Sequence, residues 1–307
     1  MATPEQWLAG ARPRTLPAAV SPVLAGTGVA AYLDASVWWK ALLALVVACA
    51  LQVGVNYAND YSDGVRGTDA DRVGPMRLVG SGAATPTEVK RAAFLSLGIG
   101  CLAGLVLALT TSVWLLVVGV LCVAAAWFYT GGRRPYGYNA LGEVMVFVFF
   151  GLVAGVGTTF VQTETLPLAA WYAGAGVGAL ACAILVANNL RDVPTDREHG
   201  KRTLAVVLGD EQTRYFFAFL VVVAAILLLG LVLETTAWAL VAFAFLIPVV
   251  PAVRTVLRGA GGRDLIPVLQ AVGVAELVYA AGIFSALVTA CRSRRCARTP
   301  PTRRRTA

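Results

Sequence analysis

Histidine is all but missing from this chain: His199 stands alone, and neither it nor the six cysteines fall at a spacing that builds a zinc site or a haem-binding pair. Charge is scarce too, at 14% of residues against 58% apolar, with a mean hydropathy of +0.73, which excludes a water-soluble globule. Strict apolar–polar alternation is lacking, and with it the case for a membrane barrel. Cys49, Cys101, Cys122 and Cys182 fall inside apolar runs, where cysteine behaves as a small apolar residue.

What is present is a series of long uncharged stretches. Crossing a hydrocarbon layer of about 30 Å takes about 18 or more apolar residues as helix. Nine stretches qualify, near 16–33, 41–58, 92–110, 113–130, 144–161, 168–187, 215–233, 235–253 and 265–290, the last carrying Glu276. The fold class expected is an all-α integral membrane protein of about nine transmembrane helices. The first run contains Pro17 and Pro22 and no convincing cleavage site, so it reads as a retained helix and not as a signal peptide.

The formal charge of +8 resides in a tail: residues 291–307 hold seven arginines and no acid, and without them the balance falls to +1. The division expected is therefore a single transmembrane domain over 1–290 and a disordered, Arg-rich tail over 291–307, with attraction to anionic headgroups as the alternative. A nucleic-acid partner is not expected. The connections on the N-terminal side carry 17 Lys+Arg, whereas the other side has Lys40 and the tail. By the positive-inside rule the N-terminus and the long loops are cytoplasmic and the cell (inner) membrane is the site.

Two of those loops concentrate the acids. After the second run come Asn56, Asn59, Asp60 and Asp63, at i, i+3, i+4 and i+7 on one helix face, followed by Asp69 and Asp71. After the sixth come Asn188, Asp192 and Asp196, so Asn-x-x-x-Asp recurs 132 residues later. Pro194 is expected to end or kink the helix near Val193, with Thr195 and Glu198 capping a short new one. Carboxylates and amide oxygens without His or Cys suit Mg²⁺, which usually bridges one or two carboxylates to substrate phosphates. A diphosphate is therefore the expected shared ligand, met directly by Arg66, Arg72, Arg77, Arg191, Lys201 and Arg202.

A third segment on the same side runs Tyr129-Thr130-Gly131-Gly132-Arg133-Arg134-Pro135-Tyr136-Gly137-Tyr138, then Gly142-Glu143. Its tyrosines suit a cation through their rings, and an interfacial aromatic belt is the plainer alternative. Glu276 receives no assigned role.

Together these residues resemble the UbiA-type aromatic prenyltransferase superfamily. Its first motif, Asn-Asp-x-x-Asp-x-x-x-Asp, is met by Asn59, Asp60 and Asp63, with Gly67 where the last Asp is expected and Asp69 two residues on. That ending, with Val73-Gly74-Pro75 and Arg77, is similar to the branch that prenylates 1,4-dihydroxy-2-naphthoate in menaquinone synthesis. The second motif falls on Asp192 and Asp196, inside Asn188-Asn189-x-Arg191-Asp192 and before Gly200-Lys201-Arg202-Thr203-Leu204. Arg12-Pro13-Arg14-Thr15 and the Tyr129–Gly132 turn also resemble that branch, and the likeness runs from about residue 7 to 290.

The resemblance implies helices around a central cavity and transfer of a polyprenyl group from polyprenyl diphosphate to the naphthoate, with decarboxylation, to give demethylmenaquinone. It implies two Mg²⁺ ions, held by Asp60, Asp63, Asp69, Asp192 and Asp196, with Tyr129, Tyr57 or Tyr61 facing the allylic cation. Asn56, Asn59, Asn188 and Arg133, with the basic residues named above, complete the expected substrate contacts. Other aromatic acceptors, such as 4-hydroxybenzoate or homogentisate, are the alternative within the fold. A cation-coupled transporter is the alternative outside it, although its site belongs near the bilayer midplane and not at helix ends.

Overall fold

A computed structural model describes residues 2–67 and 76–298, with nothing said of the side chains of 296–298. All nine apolar runs are helical. In chain order the helices are α1 (Pro4–Ala11), α2 (Pro17–Tyr32), α3 (Trp38–Arg66), α4 (Pro86–Thr110), α5 (Trp114–Phe128), α6 (Gly142–Val146), α7 (Gly157–Thr163), α8 (Leu168–Glu198), α9 (Leu204–Leu208), α10 (Asp210–Glu234), α11 (Leu246–Leu257) and α12 (Leu265–Arg298). A π-helical stretch, Phe147–Val156, joins α6 to α7, and a 3-10 stretch, Ala237–Phe245, leads into α11.

Of the roughly nine crossings expected, the described residues confirm seven or eight by length and composition. Seven helical segments are long and apolar enough to cross a membrane, and an eighth is reached only by counting the pair Pro4–Thr15 and Pro17–Tyr32, bent by 48°, as one. The 15 residues of α5 extend only about 22 Å at 1.5 Å per residue, short of the hydrocarbon thickness. The chain is a multi-pass membrane protein.

Local chemistry sets the helix ends. Thr85 and Glu88 cap α4 reciprocally: the Glu88 N–H donates to Thr85 Oγ1 and the Thr85 N–H to Glu88 Oε2. Gly67 closes α3 in the left-handed region, at φ +74°, with its N–H on the Gly64 carbonyl.

At the centre lies α8, buried more completely than any other crossing helix and rich in alanine and glycine. Between helices in lipid there is little hydrophobic drive, so close backbone packing has to hold them. Gly151 and Gly155 of the π segment meet Gly174 and Gly178 of α8 so closely that a Cβ on Gly151 would stand 2.7 Å from the Gly178 Cα. Around α8, Phe217, Leu228, Phe245, Leu265, Tyr279 and Ile283 from α10, the α11 region and α12 form the main core.

Two expectations are corrected. Pro194 does not end its helix: α8 runs on to Glu198. The proline removes one backbone bond in the last turns, and the Thr195 hydroxyl bonds back to the Asp192 carbonyl at 2.9 Å instead of capping a new helix. Nor does disorder begin at 291, because α12 continues through 291–298. There the Arg294 guanidinium lies 3.9 Å from the centre of the Tyr32 ring and Arg295 pairs with Asp34, so the turn between α2 and α3 holds the helix end. Residues 299–307 lie outside the described residues.

Candidate active site

The C-terminal ends of α3 and α8 and the segment between α5 and α6 meet at one end of the bundle, around a cavity of about 1810 Å³. Its polar end is lined by Arg12, Arg14, Asn56, Asn59, Asp63, Arg77, Asn188, Asn189, Arg191, Lys201 and Arg263. Cations far outnumber the single acid, so that end attracts an anion. The remaining lining is mostly apolar, from residues such as Val47, Leu51, Leu97, Leu107 and Leu115. Phe149, Phe150, Val153, Ala154 and Gly157 also face it: their repeat of about four matches the wider π turn, which brings paired residues onto one wall.

Asp63 is buried and central. Its Oδ1 accepts from the Tyr138 hydroxyl at 2.7 Å, and its Oδ2 lies 3.5 Å from an Arg77 nitrogen. Tyr138 joins the two acidic groups, since the Lys201 ammonium lies 5.0 Å from its ring centre and 3.7 Å from Asp196. Its carbonyl also accepts from the Arg202 N–H at 3.1 Å. Beside it, Asp192 is gripped on both oxygens by Arg191, at 2.7 and 2.8 Å, and Arg191 also donates to Asn188 Oδ1 at 2.9 Å. Such bidentate, charge-assisted pairs are rigid.

Asp60 is fully buried but does not line the cavity. Its carboxylate accepts from the Leu78 and Val79 N–H groups at 2.7 and 3.0 Å, fixing the backbone that carries Arg77. Asn56 donates to the Ala11 carbonyl and the Thr15 hydroxyl, pinning the break between α1 and α2. The Thr130 hydroxyl donates to Asn59 Oδ1 at 2.7 Å. Arg66, expected on phosphate, instead donates to the Thr130 and Gly132 carbonyls and holds that turn. The side chains of Arg133 and Arg202 are exposed and off the cavity wall. Asp69 and Arg72 lie outside the described residues.

Of the three tyrosines expected to face a cation, only Tyr129 lines the cavity. Its carbonyl accepts from Gly137, where a Cβ would stand 2.6 Å from that oxygen, so only glycine fits the turn. Tyr57 packs edge-on against Trp7, and Tyr61 stacks on Trp127, both in a satellite core beneath α1 and α4. Burial raises the Tyr136 phenol above its usual pKa, and it donates to the Ala125 carbonyl at 2.7 Å.

Polar cavity or bridging residues that were not among those expected include Arg12, Arg14, Arg263, Tyr138, Asn189 and, behind Asn189, Glu143. All of these but Arg263 lie inside motifs noticed in the sequence, but sequence spacing does not show which members turn inward.

Among the described residues, no three His, Cys, Asp or Glu side chains come together to enclose a metal. The donors on the cavity wall are oxygens, from Asp63, Asn56, Asn59, Asn188 and Asn189, while Asp192 and Asp196 are buried on α8 and do not line the cavity. That set fits Mg²⁺ in the mode where substrate phosphates complete the coordination, and does not fit Zn²⁺.

The model of the UbiA prenyltransferase family matches residues 19–265. A 1,4-dihydroxy-2-naphthoate octaprenyltransferase of Mycobacterium tuberculosis is 55% identical over 287 residues, covering 94% of this chain and 98% of that protein. The protein of the same description from Escherichia coli is 42% identical, covering 70% of this chain and 72% of its own length. Among solved structures, a UbiA homolog from Archaeoglobus fulgidus bound to DMAPP and Mg²⁺ superposes with a TM-score of 0.65 at 16% identity, over 92% of this chain and 99% of that one. The apo UbiA homolog from Aeropyrum pernix gives 0.69 at 16%, over 93% and 99%. At that identity the structures speak for the fold.

Proposed function

Because the chain belongs to the UbiA prenyltransferase family, we infer that it transfers a polyprenyl group from polyprenyl diphosphate to 1,4-dihydroxy-2-naphthoate, releasing CO₂ and diphosphate. The observation that carries this reading is a cavity with a cationic, oxygen-rich end and a long apolar remainder, the shape and polarity of an isoprenoid diphosphate. The 55% identity to a naphthoate octaprenyltransferase supports the acceptor.

The allylic C–O bond breaks and the diphosphate leaves with the electron pair. Arg77, Arg191 and Lys201 bind its oxygens at the polar end, with Arg12 and Arg14 closing the site from the α1–α2 break. Asp63, Asp192 and Asp196 would hold magnesium, with Asp69 from the first motif. When bound, that ion supplies positive charge to the departing diphosphate. Asp60 acts one step back, by holding the Leu78 and Val79 backbone and so the position of Arg77.

Apolar walls exclude water from the allylic cation, and the Tyr129 ring faces it. The ring carbon then forms the new C–C bond, and the bond to its carboxylate returns an electron pair to the ring as CO₂ departs. No proton leaves carbon, so this step needs no base. We place the polar end at the cytoplasmic face, on the loop charges, and assign two magnesium ions, one to each acidic helix end.

Purified protein with Mg²⁺, the naphthoate and a polyprenyl diphosphate is expected to yield prenylated naphthoquinol and CO₂, and to favour the naphthoate over 4-hydroxybenzoate. Preference for the benzoate would overturn the acceptor assignment.

A further inference from the structure

Asn189, on the cavity wall, and Glu143, behind it, form a buried pair, 6% and 4% exposed. The Asn189 amide nitrogen donates to Glu143 Oε1 at 2.9 Å, and the Cys182 thiol meets the Glu143 carbonyl at 3.0 Å, so α6 is pinned to α8 at two points. The other Glu143 oxygen, Oε2, is buried with no hydrogen-bond partner.

This pairing fixes which way the amide points. Asn189 turns its NH₂ toward Glu143, whose Oε1 accepts from it, and its Oδ1 therefore points the other way. Asn189 lines the cavity, and no described group donates to its Oδ1. The cavity is therefore offered an acceptor oxygen, in a neighbourhood where Arg77, Arg191 and Lys201 present donors. Diphosphate oxygens are acceptors as well and are repelled by it, whereas a ring hydroxyl is the matching donor. In the dihydroxynaphthoate, one hydroxyl is bonded internally to the adjacent carboxylate, and the remote one is free to donate.

We propose that Asn189, with its amide oriented by Glu143, accepts a hydrogen bond from the free ring hydroxyl of the aromatic acceptor. Asn189 is the specificity-determining residue and Glu143 its positioning residue. The proposal rests on the aromatic-prenyl-transfer reading above and adds to it the atom that recognises the acceptor.

The test is steady-state kinetics with the dihydroxynaphthoate and with its ether methylated at the hydroxyl remote from the carboxylate. The wild-type chain is expected to discriminate against the ether by about tenfold, the worth of one hydrogen bond. In Glu143→Gln the amide at 143 can donate, Asn189 can flip, and its NH₂ suits the ether oxygen. Discrimination should then collapse and the acceptor KM should rise, with the KM for polyprenyl diphosphate and the Mg²⁺ requirement unchanged. The double change Glu143→Gln, Asn189→Asp reverses donor and acceptor between the two residues and should restore discrimination. Asn189→Ala should abolish it.

Changes confined to the Mg²⁺ or diphosphate parameters would overturn the proposal, and so would discrimination that survives Asn189→Ala. If the double change melts like wild type yet fails to discriminate, the orienting role of Glu143 falls. A wild-type preference for another hydroxylated acceptor would sink the naphthoate assignment instead, and the same ratio measured with that acceptor and its ether would still decide the role of Asn189.

Discussion

At the end of α3, Asp60 gives both carboxylate oxygens to backbone N–H groups of the chain that follows. At the end of α8, Asp192 gives both of its oxygens to the guanidinium of the residue before it. Each aspartate is the first acid of its cluster, and each is buried, yet the two side chains do different work. The α3 carboxylate holds a fold element in place. The α8 carboxylate is neutralised by a cation that lines the cavity. Asp63, tied to Tyr138 and Arg77, is the α3 acid that lines the cavity. A repeated motif therefore need not repeat its roles.

Substitutions can break or sharpen that contrast. The largest effect is expected from Asp192→Asn. Removing an electrostatic group from the transition-state environment typically costs 10²–10³ in turnover, so kcat should fall by about that much, with a raised Mg²⁺ requirement. Asp60→Asn should act mainly on stability. An amide can accept only one of the two N–H groups and presents a donor to the other, at a cost of about 1–3 kcal/mol, read as a lower melting temperature in detergent. Should the two variants show the same balance of turnover and melting losses, the distinction between the helix ends is void.

Glu276 supplies an acid with neither kind of partner, since both its oxygens are buried and without a hydrogen bond. Glu276→Leu is expected to raise the melting temperature, by about 1–3 kcal/mol of stability, because an unpaired polar group is removed from the interior. A destabilised variant would mean that Glu276 has a partner in the folded protein. The smallest effect belongs to Tyr138→Phe, which removes one hydrogen bond to Asp63. A loss of about 1 kcal/mol, or several-fold in the KM for polyprenyl diphosphate, is expected, with kcat nearly preserved.

The helices were legible because lipid demands long uncharged runs, and every such run became a helix. The membrane count was less so: α5 is apolar enough but too short, and α2 joins its neighbours at a bend marked only by Pro13 and Pro17. At the site, the stripe of Asn56, Asn59, Asp60 and Asp63 was read as one face. Successive residues turn by about 100°, however, so Asp60 stands well round from Asn59 and meets the 78–79 backbone instead. Gly67 explains the gap in the first motif. It caps α3 at positive φ, where an aspartate side chain would be strained. Charge pattern grouped Arg66 with the other cations of its loop but did not show that it would bind carbonyls of the 130–132 turn, because a guanidinium donates to any oxygen within reach. Pro194 misled because the loss of one backbone bond near a helix end is small beside the packing that holds α8.

The central claim is that the ends of α3 and α8 act on one diphosphate through bound magnesium. A double-mutant cycle tests it most directly: binding of polyprenyl diphosphate in Mg²⁺ to wild type, Asp63→Asn, Asp192→Asn and the double variant. If both acids serve one ligand, the double loss falls short of the sum of the single losses by about 1 kcal/mol or more, and that coupling vanishes when Mg²⁺ is withdrawn. Strictly additive losses, or coupling indifferent to Mg²⁺, would contradict the account.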